Sequence, residues 1–230
     1  MCFEKILLFA ILAAPPRQPS TFLRLQPGPG SSFVYKLHID RVDEHRTGDL
    51  YVSCKVRRNT GKQIVIDGTL TKFVMNGKDL TAKLKGHGKL TGTLPYNERS
   101  ERIGNLDPMG FDRTITPQMF DLLKEVGIYL GNYPAEKVTP GYDWSGETTA
   151  TGGCTYCDYK LKGFSKSLDK AYLEVTNIRL RFTGVQDGPM TMEIDMKHGI
   201  PTTVSYQVRS RPGNKLSRFK QTLVSFKPGS

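Results

Sequence analysis

Phe33-Val34-Tyr35-Lys36-Leu37-His38-Ile39-Asp40 decides the fold class. Phe33, Tyr35, Leu37 and Ile39 alternate with Val34, Lys36, His38 and Asp40, the period-two pattern of a strand with one buried and one solvated face. Thr47-Gly48-Asp49 then reads as a turn and Leu50–Val56 as the returning strand. A third strand is expected from Gln63 to Met75, closed by Asn76-Gly77, a pair that tolerates the positive φ of a type I′ hairpin turn. Leu80–Leu84 and Lys89–Leu94 are shorter strand candidates.

The middle of the chain changes period. Thr116-Pro117 supplies an N-cap and a proline at the first helical position. Met119, Phe120, Leu123 and Val126 or Gly127 recur at helical spacing, so a helix is expected over 116–130, ended by Gly131. Strands resume at Gly141–Thr151, Thr155–Gly163, Lys170–Thr183, Thr191–Met196, Ile200–Val208 and Leu216–Lys227. Asp187-Gly188, Lys197-His198-Gly199 and Arg211–Asn214 mark turns between the last four. The layout predicts a mainly β protein: a strongly curved antiparallel sheet or incomplete barrel of about eleven strands with one helix packed on it. Residues 33–230 read as one β-rich domain, with candidate halves at 33–110 and 132–230.

Upstream, Met1–Lys5 is a short polar lead, Ile6–Ala14 is unbroken apolar sequence, and Pro15-Pro16 breaks it. Residues 1–14 therefore read as a secretory leader; a membrane-spanning helix needs about twenty apolar residues. Ala14 suits cleavage whereas Leu12 does not, and the alternative is a buried N-terminal segment of a cytosolic protein. Export predicts a periplasmic or extracellular location. Residues 15–32 are rich in Pro, Gly and Ser and read as a disordered tether.

The net charge is +11 over 230 residues. Residues 31–110 carry 14 basic and 9 acidic side chains, and residues 111–230 carry 16 and 12, so the charge is diffuse. Nucleic-acid binding would need clustered basic and aromatic groups, and no nucleic-acid partner is expected. A diffuse positive field suits a solvated sheet face, and it also favours peripheral contact with anionic surfaces such as phospholipid headgroups. A lipid or another envelope component is the expected partner; the oligomeric state is not readable.

Tyr133-Pro134-Ala135-Glu136-Lys137-Val138-Thr139-Pro140-Gly141-Tyr142-Asp143-Trp144 carries a P-x-x-x-V-x-x-G-x-x-W pattern. It resembles a signature of uncharacterised exported β-proteins of bacteria, in which a helix leads into this loop and strands follow. The layout of most of the chain also resembles the half-barrel lipoprotein carriers of the periplasm. These resemblances imply an envelope location and a half-barrel fold, and no activity. The lipid-carrying role belongs to the more distant carriers, and this chain lacks an obvious lipid-attachment cysteine.

Cys154-Thr155-Tyr156-Cys157 is the most suggestive chemical group. A redox pair would sit at a helix N-terminus, where the dipole lowers a thiol pKa, but here the context is a turn or strand start. Zinc would need a second pair of ligands, and Cys54, His38, His45, His87 and His198 do not stand at paired spacing. A structural disulfide, within the pair or from one member to Cys54, is the plainer reading, so Cys54, Cys154 and Cys157 are the disulfide candidates. Lys85–Gly92 looks like a phosphate loop but lacks the spacing and the following helix. Asn97–Arg102 and Asp107 could suggest acid–base chemistry, although a solvated loop explains them. No catalytic elbow, metalloprotease motif or nucleotide fingerprint occurs, and no catalytic residue, metal or cofactor is expected.

Two readings of function follow. In one, a hydrophobic or amphiphilic ligand occupies the concave face of a half-barrel, lined by Phe120, Leu123, Tyr142 and Trp144. In the other, the core is filled by its own side chains, and an edge or basic face docks a partner at the cell surface. A thiol oxidoreductase using Cys154 and Cys157 is a third.

Overall fold

Alternating burial builds the sheet from both ends of the chain. The computed structural model describes residues 19–103, 107, 109–112, 114–123, 128–147, 156–177, 184–210 and 213–229. Residues 1–14, expected to be a secretory leader, lie outside the described residues. Four strands open the domain: β1 Ser32–Arg41, β2 Arg46–Asn59, β3 Ile64–Met75 and β4 Lys78–Asp79. The short β5 Gly88–Lys89, β6 Thr91–Tyr96 and β7 Gly110–Phe111 follow, then helix α1 Pro117–Leu123. The second run is β8 Asp143–Gly146, β9 Cys157–Phe164, β10 Lys170–Thr176, β11 Gly184–Gln186, β12 Met190–Asp195, β13 Ile200–Ser210 and β14 Leu216–Lys227.

Twelve of these strands form one antiparallel sheet that is not closed into a barrel, in the order β4-β3-β2-β1-β14-β13-β12-β10-β9-β8. β6 pairs with β3 and β11 with β13, while β5 and β7 make a separate pair. The fold class read from the sequence is the one observed. The seam at its centre joins the first strand to the last, from Ser32 opposite Lys227 to Arg41 opposite Ser217. Bulges interrupt the register at Val34/Tyr35, Tyr51/Val52, Val56/Arg58, Tyr172/Leu173 and Glu193/Ile194, and each adds local twist and bend to the sheet. Asn76 and Gly77 turn with φ of 48° and 77°, as a type I′ hairpin requires.

The inner face is buried on every long strand and mostly apolar, with Ser217 and Gln221 on β14 as buried polar residues. Tyr35, Leu50, Val52, Cys54, Ile64, Phe73, Leu161, Ala171 and Val204 are fully inaccessible. What covers them is the chain itself. Leu122 of α1 lies over β2 at Gly48, where a Cβ would stand 3.0 Å from the Leu122 methyl. Ile128, Tyr129, Leu130 and Tyr133 are buried in non-helical backbone. Gln221, in the middle of β14 and also buried, holds that segment by both ends of its amide. Its Oε1 accepts from Tyr129 N–H at 2.9 Å and its Nε2 donates to the Tyr129 carbonyl at 3.0 Å.

Two expectations need correction here. The helix is shorter than 116–130: its described part runs Pro117–Leu123, residues 124–127 lie outside the described residues, and 128–130 are not helical. Thr116 does cap it, its Oγ1 accepting from Met119 N–H at 3.4 Å. Once inside the sheet, Ile128-Tyr129-Leu130 is buried on all sides, so no helical stripe is needed to hide it. Leu80–Leu84 is likewise not a strand; Thr81–Leu84 forms a 3-10 turn.

The second correction concerns residues 15–32. Those described, from residue 19 on, are a strap rather than a disordered tether. Leu23 and Leu25 are buried at 1% and 0% exposure. Thr21 pairs with Val138, Leu25 N–H donates to Glu98 O at 2.6 Å, Gln26 N–H to His198 O at 2.8 Å, and Gly30 N–H to Val56 O at 2.9 Å. Arg24 fastens the strap by donating to the Pro134 and Ala135 carbonyls, both at 2.7 Å. Gly199, with φ of 64°, lies so close to the backbone of Arg24 and Leu25 that any side chain there would collide. A proline-rich stretch with two leucines one residue apart can satisfy its backbone against its neighbours and bury both.

Candidate functional site

The residues proposed as a ligand lining fall on separate elements. Leu123 is buried and Phe120 half-buried on α1, which lies over the first strands, with Asp121 bridging Arg41 and Arg46 at 3.4 Å. Tyr142 and Trp144 sit at the far end of the sheet order, where β8 pairs with β9. Trp144 stacks on Tyr159 with centroids 5.3 Å apart and planes 8° apart. Its indole Nε1–H donates to Asn132 O at 2.8 Å, and Asn132 Nδ2 donates to Glu147 O at 3.0 Å. Tyr142 O–H donates to Glu136 at 3.2 Å. The pattern from Tyr133 to Trp144 therefore works as a clasp: Tyr133 O–H donates to Gly199 O at 2.8 Å, Val138 bonds the strap, and Gly141 turns at φ of 91°.

The other motif-like groups are also built into the scaffold. Asn97 Oδ1 accepts from the N–H groups of Arg99 and Glu101, and Arg99 exchanges backbone and side-chain bonds with Tyr133. His87 Nδ1 bonds Thr114 Oγ1 at 2.6 Å, and Gly88–Lys89 pairs with Gly110–Phe111 where a phosphate would have to lie. Cys54 is a buried free thiol on β2 that burial pushes well above its ordinary pKa, which makes it a poor nucleophile. Cys157 is buried at the start of β9, a strand and not a helix N-terminus. Cys154 lies outside the described residues. Among the described residues there is no disulfide, and no three His, Cys, Asp or Glu side chains gather as a metal site.

The outer face carries a recess that the sequence did not reveal. Its floor crosses the seam. Ser205 on β13 stands opposite Lys220 on β14, Lys220 opposite His38 on β1, and His38 opposite Asp49 on β2. One step along, Gln207 faces Arg218 and Arg218 faces Asp40. A kink at Asp187-Gly188-Pro189, between β11 and β12, makes the wall. It is fixed by Asp187 N–H donating to Gln207 O at 2.9 Å and by the Asp187–Arg209 ion pair at 2.9 Å. The half-open space is about 490 Å³. A second recess of about 360 Å³ lies by β8, where Ser145 and Asn177 both bond Asp158 at 2.6 Å and Lys160 pairs with Asp143.

At the edge of the first recess, Asp49 ties His38 and Lys36 together at 2.7 and 3.0 Å. Burial pushes the Asp49 carboxyl up, but the hydrogen bonds from His38 and Lys36 outweigh it and hold the group below its ordinary value. Its stabilising contribution is then complete above the unfolded pKa of about 3.9 and is lost as pH falls through the lower folded value. The melting temperature followed against pH should drop below about pH 4. Asp49→Asn should flatten part of that drop.

Fold and recesses together define an open, curved antiparallel β-sheet protein whose inner face is occupied by its own chain. No protein-family model matches the chain, and no curated protein does. Among solved structures it is similar to a chain described as "lipid-protein interactions in lipovitellin", at 11% identity and a TM-score of 0.46. The similarity covers 89% of this chain, which spans 26% of the length of that one.

Proposed function

We propose that this protein is an exported, non-enzymatic recognition module that binds through the outer face of its sheet and keeps its inner face for its own core. One observation carries the reading. The strap and the segment after α1 lie on the inner face, and Leu25, Tyr35, Leu122 and Tyr133 are all fully buried there. A guest could enter only by displacing residues that bond both halves of the sheet. The hydrogen-bonded commitments of Asn97, Arg99 and His87 favour scaffold over catalysis, and the apolar run before Pro15 favours export.

The test is mass spectrometry of the full chain from a secreting host, first native and then denatured. The native mass should equal the denatured mass, short of the leader, with no guest released. An amphiphile that co-purifies and leaves on denaturation would replace this reading with that of a lipid carrier. An uncut chain retained inside the cell would remove export from it.

A further inference from the structure

We infer that the recess between His38, Lys220 and the Asp187–Pro189 kink is a binding site for a small solute bearing an oxyanion, either carboxylate or phosphate, with Lys220 as its charged anchor. This rests on the outer face being the recognition face, and it names what that face recognises.

The charged groups around the recess are almost all committed to one another. Among the acids around the recess, Asp40 pairs with Arg218 at 3.7 Å, Asp187 with Arg209 at 2.9 Å, and Asp49 with His38 and Lys36. Lys220 is exposed on the floor and has no ion pair among the described residues. Its register neighbours are His38 on one side and Ser205 on the other, on strands about 4.8 Å away. His38 spends its Nδ1 on Asp49, so Nε2 is the ring nitrogen left for a ligand. The side chains of Ser205, Gln207 and Thr191 line the same space and are not tied to other side chains among the described residues. The uncommitted groups are thus one cation and several neutral donors, the set that suits a compact anion rather than a cation or an apolar tail. The chain's overall charge of +11 adds attraction at long range. A volume of about 490 Å³ admits a small metabolite and not a folded partner.

The wall has the fixity a site needs. Gly188 adopts φ of 83°, which turns the chain sharply between β11 and β12. Asp187, at the start of the kink, is anchored to β13 twice, at Gln207 and at Arg209.

Amide-resolved NMR titration of the full chain tests this, with inorganic phosphate and acetate as probes and chloride at matched ionic strength as control. Saturable shifts at Thr191, Ser205, Gln207 and Lys220 are expected with phosphate or acetate, and the better probe assigns the anion type. Lys220→Ala should weaken binding about tenfold or more, because a charge-assisted hydrogen bond is lost. Lys220→Arg should hold it within a few fold. Lys72→Ala, at an exposed outer-face lysine set over Tyr51 at 5.6 Å, should leave it unchanged. Shifts that never saturate, that chloride reproduces, or that Lys220→Ala leaves intact would overturn the proposal. Such a failure would not touch the self-filled inner face, which the native mass measurement judges separately.

Discussion

Gln221→Leu is expected to cost about 2–5 kcal/mol, although leucine is the more hydrophobic residue and the site is buried. The amide of Gln221 acts as a short strand: it gives one acceptor to Tyr129 N–H and one donor to the Tyr129 carbonyl. Leucine removes both, and an orphaned buried polar group costs about 1–3 kcal/mol. At this chain length each kcal/mol lowers the melting temperature by about 2–4 °C, so the effect is easily read by thermal denaturation. Gln221→Glu should be worse at neutral pH. The carboxylate still accepts from the N–H but meets the Tyr129 carbonyl with no proton to donate, and it is a charge held away from water. If Gln221→Leu melts at or above the wild-type temperature, the amide does not hold the 128–134 segment.

Gln221 also shows where sequence reading stopped. Burial in β14 alternates through Ser217, Phe219 and Gln221, so the strand was readable and so was the buried face. A glutamine there signals a specific buried partner, but nothing local says that the partner is Tyr129, 92 residues away. The same holds for the seam. β1 and β14 each announce themselves by period, yet their pairing joins residues from opposite ends of the chain, and no local pattern encodes such a register. The recess is harder still, since Ser205, Lys220 and His38 meet only because two registers align across three strands. Of its parts, only the Asp187-Gly188 turn was visible. Trp144 has its ring stacked on Tyr159 and its N–H spent on Asn132.

Leu23→Ala and Leu25→Ala should each destabilise the domain by about 2–5 kcal/mol, the range for removing a fully buried leucine side chain. A tether, as residues 15–32 first read, would tolerate both. The two are separated by one residue and belong to one buried cluster, so the loss in the double variant should depart from the sum of the single losses. More informative is how the variant fails. The strap bonds Val56 in β2, Glu98 after β6, Val138 before β8 and His198 between β12 and β13, and Arg24 adds the carbonyls of Pro134 and Ala135. Loosening it therefore loosens the attachments of the whole inner layer, and one cooperative transition at lower temperature is expected. Limited proteolysis near Arg24 should become faster only in step with that global loss. An apolar dye should not bind before melting. Dye binding by a still-folded double variant, with early cleavage inside the strap, would instead make residues 19–31 a separable cover. In that case the apolar gutter beneath, from Tyr35 and Leu50 across to Leu161 and Val204, would be open to an amphiphile, and the carrier reading would regain the advantage that burial now denies it.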